Sequence, residues 1–263
     1  MDEFRIIRSR DNPLVKALRK LASSSRERRK TGSALLDGEH LVSAVRDAGL
    51  VARTLVASES AVRKSELRAL FLGTPAASRV VLDDRLVADI SQVAAATGLM
   101  AVVQAPDAGP LPDDTQDCVL LENLQDPGNL GSILRTAAAA GVRRVMLSPS
   151  SVFSWSPKVL RAAMGAHFKL SIFENVDLGA YAAGFHGKVI SMAPAAESSI
   201  YDLPLDGPVA WAFGNEGAGL SPELLANSAL KMRIPMPGGS ESLNVAAAVA
   251  VCLFEKLRQN SRG

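Results

Sequence analysis

The chain has few of the residues that build disulfide frameworks and metal sites. Its 263 residues include only two cysteines, Cys118 and Cys252. Both lie in apolar segments, which predicts buried free thiols rather than a disulfide. The three histidines are scattered, with no spacing typical of metal ligands, so we expect no metal site.

Long apolar runs are also missing. The longest run, Val245 to Phe254, is much shorter than the roughly 20 residues that span a bilayer. The first residues, MDEFRIIRSRDNP, are charged and have no apolar core of the kind found in signal peptides. We therefore expect a soluble, cytoplasmic protein.

The net charge is only +2, but it is unevenly distributed. Residues 5–30 hold ten basic and two acidic side chains, a net charge of +8, which leaves −6 for the remainder. Such asymmetry is typical of a surface that contacts RNA phosphates, although a solvated helical face without a partner has the same composition. The candidate RNA contacts are Arg8, Arg10, Lys16, Arg19, Lys20, Arg28, Arg29 and Lys30, together with Arg161 on a later predicted helix.

Three strand–loop–helix junctions stand out in the C-terminal half. In the first, LLENLQDPGNLGSILR, an apolar strand is followed by turn residues and by a helix in which Arg135 is a lone charge. In the second, WAFGNEGAGLSPELL, the loop is rich in glycine and holds one acid, Glu216. In the third, IPMPGGSESLNVAAAVAV, Ser242 and Asn244 precede a helix of small residues. Because ligands gather at the carboxyl ends of strands in open α/β sheets, we expect the three loops to converge.

These motifs resemble those of the SpoU/TrmH branch of the SPOUT RNA methyltransferases, which methylate ribose 2′-hydroxyls with S-adenosylmethionine. DPGNLGSILR is similar to the first family motif, FGNEGAGLS to the second and IPMPGGSESLNVAAAVAV to the third. The N-terminal part, with GEHLVSAV, resembles the substrate-binding domain often fused to this enzyme. The resemblance implies an α/β fold with a parallel sheet covered by helices, a deep trefoil knot and a homodimer formed through the knotted domain.

The resemblance also implies a site. Its catalytic candidates are Arg135, Asn129, Glu216, Ser242 and Asn244, and its cofactor-binding candidates are Gly214, Asn215, Gly217, Ile234, Met236, Ser242 and Leu243. Arg135 matches the arginine proposed to activate the hydroxyl. A guanidinium has a pKa above ~12 and is a poor base, so we favour stabilisation of the developing alkoxide over proton abstraction assisted by an RNA phosphate.

Several of these candidates have a structural alternative. Arg135 could instead bridge to Glu216, and Asn129 could cap the helix that follows it. Ser242 and Asn244 could cap the last helix, and Ile234, Met236 and Leu243 could belong to the core.

Two domains are predicted: an RNA-binding α/β domain at residues 1–104, a linker at 105–116 and a methyltransferase domain at 117–263. The smaller domain alternates helices with strands, and its predicted helices include the first, Pro13 to Leu21, and the last, Asp84 to Ala96. The strands predicted for the parallel sheet are 118–121, 144–147, 169–173, 189–192, 209–213 and 231–234.

The leading functional hypothesis is 2′-O-ribose methylation of 23S-type ribosomal RNA. A tRNA methyltransferase and a non-catalytic RNA-binding assembly protein are the alternatives. A nicotinamide-dependent enzyme is disfavoured because GNEGAG is not a GxGxxG fingerprint.

Overall fold

A computed structural model describes residues 4, 6–93, 96–112 and 116–261. Outside the described residues lie Arg5 of the basic segment, residues 113–115 of the predicted linker, and residues 94 and 95 of a helix predicted over 84–96. The chain divides into two compact units. Unit 1 comprises Met1–Asp107 and Trp155–Phe168, and unit 2 comprises Ala108–Ser154 and Lys169–Gly263.

The secondary structure alternates between helices and short strands. The strands are β1 (Ile6–Ile7), β2 (Ser33–Asp37), β3 (Thr54–Ser58), β4 (Arg79–Leu82), β5 (Leu99–Gln104), β6 (Cys118–Leu121), β7 (Arg144–Leu147), β8 (Ser171–Phe173), β9 (Lys188–Met192), β10 (Ser198–Ser199), β11 (Val209–Phe213) and β12 (Leu230–Arg233). The α-helices are α1 (Pro13–Ser23), α2 (Ser25–Thr31), α3 (Glu39–Asp47), α4 (Ser65–Gly73), α5 (Asp84–Ile90), α6 (Pro127–Ala139), α7 (Pro157–Ala163), α8 (Leu178–Gly184), α9 (Pro222–Ala226) and α10 (Val245–Asn260).

Unit 1 is built on a five-stranded mixed sheet in the order β1-β4-β3-β5-β2. Strands β1, β4 and β3 are parallel, whereas β5 is antiparallel to both β3 and β2. Helix α1 covers this sheet because its apolar residues recur at helical spacing, and Val15 and Leu18 are buried. Asn12 caps α1 by accepting a hydrogen bond from the Leu14 backbone N–H at 2.9 Å.

Helix α2 was not predicted, because SRERRKT has no apolar stripe. Its ends are nevertheless well defined. The Ser24 hydroxyl accepts from the Glu27 N–H at 3.2 Å, and Gly32 closes the helix in the left-handed conformation with φ of 58°. Arg28 is buried beneath the helix, where its guanidinium donates to the carbonyls of Leu21 at 2.6 Å and Ala22 at 3.2 Å.

Unit 2 is built on a seven-stranded sheet in the order β10-β12-β9-β11-β6-β7-β8, with parallel pairing throughout. The prediction of a parallel sheet with helices is confirmed, with strand ends shifted by up to two residues and with β10 added. Strands β11 and β6 pair with Phe213 opposite Leu121, so their carboxyl ends are level. The loops that follow these two strands therefore begin side by side.

Both cysteines are free and buried, as predicted. Burial raises the pKa of the Cys118 thiol to about 12, and burial likewise raises the pKa of the Cys252 thiol. Within the described part of the chain, no helix is long and apolar enough to cross a membrane. The same residues contain no cluster of three or more His, Cys, Asp or Glu side chains that could hold a metal ion.

Candidate active site

The first turn of α6 presents Asn129 to the loops around it. Asp126, not Asn129, caps this helix, since its carboxylate accepts from the Asn129 backbone N–H at 2.7 Å. Pro127 occupies the first helical position, where no N–H is needed. The alternative that Asn129 is the helix cap is therefore wrong, and its side chain is available for other partners.

The Asn129 side chain joins all three motifs. Its Nδ2 donates to Glu216 Oε1 at 2.9 Å, and its Oδ1 accepts from Asn244 Nδ2 at 2.9 Å. Asn244 in turn caps α10, accepting from the backbone N–H groups of Ala246 and Ala247 at 2.9 and 3.4 Å. Because a carboxylate can only accept, Glu216 fixes the orientation of the Asn129 amide. The hydrogen bonds therefore run in one direction, from Asn244 to Asn129 and from Asn129 to Glu216. We call this series of three residues the amide chain.

The glycine-rich loop after β11 is held closed by its own backbone. Asn215 and Gly219 exchange two backbone hydrogen bonds, of 3.0 and 2.9 Å. A side chain at Gly214 would overlap the Gly219 backbone, so glycine is required there. The loop is also tied to the segment after β6, because Asn215 Nδ2 donates to the Asn123 carbonyl at 2.9 Å and the Ser221 N–H donates to Glu122 Oε2 at 2.7 Å.

A cleft of about 890 Å³ opens between the loops after β9, β11 and β12 and the start of α10. All seven predicted cofactor-binding residues line it, as do Glu216 and Asn244. Its remaining lining residues are Met192, Ala193, Pro194, Phe213, Ala218, Gly219, Arg233, Ser240, Glu241, Val245 and Ala248. The motifs did not identify residues 192–194 or Arg233 as lining residues. These positions follow or end a strand, and no glycine, asparagine or helix cap marks them.

Arg135 occupies a different face of α6. It lies six positions after Asn129, which places the two side chains about 120° apart around the helix. Arg135 is exposed and is not among the residues that line the cleft. Within the described residues it forms no hydrogen bond or ion pair, and Glu216 is bound by Asn129 instead. The alternative of an Arg135–Glu216 bridge is not what the structure contains.

Several of the predicted RNA contacts are already paired with acids in unit 1. Arg8 pairs with Glu59 at 3.1 Å, and Lys16 pairs with Asp11 at 2.9 Å. Arg10 and Arg19 share the carboxylate of Asp89, at 2.6 and 3.0 Å. The sequence could not reveal the pairs of Arg8, Arg10 and Arg19, because Glu59 and Asp89 are distant from them in the chain.

The remaining basic candidates differ in exposure. Lys20, Arg29 and Lys30 are exposed, and neither lysine has a hydrogen-bond or ion-pair partner among the described residues. Arg28 is buried, which lowers its pKa and directs its guanidinium to helix carbonyls rather than to a phosphate. Arg161 is half-buried in α7, and its Nη1 has no hydrogen-bond partner among the described residues.

Two family models match the chain. The SpoU rRNA Methylase family model matches residues 117–254, which contain all three motifs. The chain belongs to the SpoU rRNA methylase family. The MRM3-like substrate binding domain model matches residues 12–101. The family resemblance drawn from the motifs is thereby confirmed for this SpoU protein.

Relatives of the SpoU protein match it over nearly its full length. It is 31% identical to the 23S rRNA (guanosine(2553)-2′-O)-methyltransferase RlmP of Bacillus subtilis, over 94% of this chain and 97% of that one. The AdoMet-bound rRNA methyltransferase from Sinorhizobium meliloti superposes with a TM-score of 0.82 at 27% identity, over 97% and 98% of the two chains. The SpoU methyltransferase AviRb from Streptomyces viridochromogenes, in complex with AdoMet, gives a TM-score of 0.85 at 25% identity, over 96% and 99%.

Proposed function

We propose that this SpoU-family chain transfers a methyl group from S-adenosylmethionine to a ribose 2′-hydroxyl of 23S-type ribosomal RNA in the cytoplasm. The observation that carries the proposal is the amide chain, which joins the three motif loops beside a cleft lined by every predicted cofactor-binding residue. RlmP, which is similar over nearly the whole chain, supports ribosomal RNA as the substrate class.

The chemistry of the cleft fits S-adenosylmethionine. Ile234, Met236 and Leu243 offer an apolar surface for adenine, and the carboxylates of Glu216 and Glu241 suit the positive charges of the sulfonium and the ammonium. The glycine-rich loop brings backbone groups to the same wall without bulky side chains. When bound, this cofactor supplies an electrophilic methyl group. The protein's task is to position the ribose and to stabilise charge on its 2′-oxygen.

The roles of the polar residues follow from their contacts. Asn129 and Asn244, with Glu216 fixing their orientation, hold the loops in one arrangement and so position the ribose. Arg135 stabilises the developing alkoxide, since no hydrogen-bond or ion-pair partner among the described residues would help its guanidinium act as a base. Ser242, at the cleft wall, hydrogen-bonds the substrate.

We also propose that the active protein is a homodimer and that its methyltransferase domain carries the family's deep trefoil knot. Helix α10 presents an apolar stripe of Ala247, Val251, Phe254 and Leu257 at helical spacing, with Phe254 and Leu257 well exposed. Such a stripe is suited to association with a second copy. Arg135 lies outside the cleft lining of its own chain, so in this proposal it completes the cleft of the partner subunit.

The proposed N-terminal domain, residues 1–104, binds RNA, and residues 105–116 link it to the methyltransferase domain at 117–263. Lys20 and Lys30 are the strongest phosphate contacts, because they are exposed near the junction of α1 and α2, and the exposed Arg29 belongs to the same surface. The paired Arg8, Arg10, Lys16 and Arg19 contribute less, since carboxylates already offset their charge. Arg28 is not part of the proposed surface, because it is buried.

The decisive experiment is methyl transfer from labelled S-adenosylmethionine to purified 23S rRNA and bulk tRNA. The wild type, Arg135→Ala and a control, Arg143→Ala, which changes another exposed arginine of unit 2, are compared. We expect alkali-resistant incorporation into rRNA by the wild type and the control. For Arg135→Ala we expect a loss of at least about 100-fold, comparable to removal of an oxyanion-stabilising donor.

The other outcomes separate the alternatives. Incorporation into tRNA alone would identify a tRNA methyltransferase. Failure of the wild type to bind S-adenosylmethionine by calorimetry would favour a non-catalytic assembly protein. Activity restored by mixing Arg135→Ala with a cleft-inactivated Gly214→Val chain would support a shared site, whereas a monomer at working concentration in sedimentation would reject it.

A further inference from the structure

Tyr201 is an exposed aromatic residue next to the cleft. It follows β10, which pairs with the carboxyl end of β12 so that Ser199 lies opposite Arg233. The Ile200 N–H donates to the Arg233 carbonyl at 3.0 Å, and the Tyr201 N–H donates to Ser199 Oγ at 3.2 Å. The backbone of Tyr201 is therefore fixed beside a cleft-lining residue, while 53% of the residue's surface remains exposed.

Among the described residues that line the cleft, Arg233 supplies the one Lys or Arg side chain. The other ionisable residues in the lining are Glu216 and Glu241. Within the described part of the chain, the Arg233 side chain has no hydrogen-bond or ion-pair partner. Two carboxylates suit a cationic cofactor but repel RNA phosphates, so a substrate strand entering here needs a compensating positive charge.

We propose that Tyr201 and Arg233 form an RNA-binding patch at the mouth of the cleft, in which Tyr201 stacks on a base adjoining the target nucleotide and Arg233 binds a neighbouring phosphate. An exposed aromatic residue next in sequence to one whose backbone bonds that of Arg233, a cation without a partner among the described residues, supplies the two groups that bind unstacked RNA. This inference rests on the proposed function, and it assigns substrate recognition to the methyltransferase unit itself, apart from the basic N-terminal segment. We call Tyr201 and Arg233 the cleft-mouth patch.

A rival occupant of Tyr201 is a second copy of the chain, continuing the apolar stripe of α10. The position of α10 argues against this. Its Lys256 is paired with Asp117 at 2.7 Å, and Asp117 precedes the amino end of β6. The exposed Phe254 and Leu257 therefore lie toward the amino edge of the sheet, whereas Tyr201 follows the carboxyl end of its strand, on the cleft side.

The test uses the full-length protein with an rRNA substrate. Tyr201→Ala and Arg233→Ala are compared with Tyr201→Phe, which keeps the ring, and with Lys231→Ala, which removes an exposed cation from the same strand outside the cleft. The measurements are KM for RNA, kcat, the Kd of S-adenosylmethionine by calorimetry and the sedimentation coefficient. We expect Tyr201→Ala and Arg233→Ala each to raise the KM for RNA on the order of tenfold, with cofactor affinity unchanged. Tyr201→Phe and Lys231→Ala should remain within about twofold of the wild type.

Three outcomes would overturn the inference. An unchanged KM for RNA in both alanine variants, with an active wild type, would reject the cleft-mouth patch and leave the proposed function intact. Weaker S-adenosylmethionine binding by Arg233→Ala, with RNA affinity unchanged, would assign Arg233 to the cofactor carboxylate. A change in sedimentation for Tyr201→Ala would place Tyr201 in a subunit interface. A wild type that methylates no RNA would instead count against the proposed function.

Discussion

Replacement of Asn129 by alanine tests whether the amide chain organises the active site. The substitution removes the hydrogen bond to Glu216 Oε1 and the hydrogen bond from Asn244 Nδ2, both of 2.9 Å. It leaves the backbone N–H that donates to Asp126, so the cap of α6 is retained. Alanine is also the best helix former, and the folded structure should survive.

The size of the effect follows from these two bonds. A net hydrogen bond contributes about 0.5–1.5 kcal/mol, and one to a charged group about 1.5–3 kcal/mol, with the lower values appropriate because the groups are exposed. A combined loss of about 1–3 kcal/mol in transition-state positioning corresponds to a fall of about 5- to 150-fold in kcat/KM. The melting temperature should fall by about 2–4 °C for each kcal/mol of folding stability that these two bonds supply.

The assay is the initial rate of methyl transfer to an rRNA fragment at several RNA and S-adenosylmethionine concentrations. Ser132→Ala is the control, since Ser132 is exposed on the same helix and has no part in the amide chain. Glu216→Ala and the double variant Asn129→Ala/Glu216→Ala complete a cycle. Because both residues act through one chain, the double variant should lose about as much as the more damaging single variant.

Two results would refute this reasoning. Asn129→Ala with kcat/KM within twofold of the wild type would show that the amide chain does not position reacting groups. Losses that simply add in the double variant would show that Asn129 and Glu216 act independently. A large fall in melting temperature would instead assign Asn129 a role in folding.

Two further predictions concern charged groups. Lys256→Met should lower the free energy of unfolding by about 2–4 kcal/mol in urea titrations, because it leaves Asp117 without its buried partner. Lys188→Met, which breaks the exposed pair of Lys188 with Asp206, should lower it much less, and equal losses would contradict the argument from burial. Lys20→Ala/Lys30→Ala should weaken rRNA binding and reduce the slope of log Kd against log salt concentration by about one to two, as expected when two phosphate contacts are lost. Lys169→Ala/Lys231→Ala should leave that slope unchanged. An unaltered slope in Lys20→Ala/Lys30→Ala would show that α1 and α2 are not part of the RNA-binding surface.

The sequence predicts best where apolar runs are bounded by turn residues. Strands β6 and β11 begin and end at the predicted residues because turn chemistry follows each one directly. Strand β10 could not be predicted, since two serines become a strand only by pairing with β12. Helix α5 ends at Ile90, earlier than expected, because Ser91 adopts an extended conformation.

For the site, the motifs identified the residues but not how their side chains would be arranged. They predicted that Asn129, Glu216 and Asn244 would meet, but not that Asn129 would lie between the other two. The sequence also could not distinguish Arg28, which is buried, from its exposed neighbours, because all of them belong to one run of basic residues. Arg233 was missed because its position in the cleft depends on the order of strands in the sheet, which local pattern does not encode.

Helix α10 helps to explain how the three motif loops hold a defined geometry. Its 16 residues extend about 24 Å, longer than any strand of the sheet beneath it. At one end Asn244 caps the helix and donates to Asn129, and at the other Lys256 is bound to Asp117 and to the Gly207 carbonyl. Val249, Cys252 and Leu253 are buried between these two attachments. The position of Asn244 is therefore set by the packing of a whole helix against the sheet. The glycine-rich loops pack around this fixed position of Asn244. The need to pack the helix closely is why the third motif continues into a run of alanine and valine.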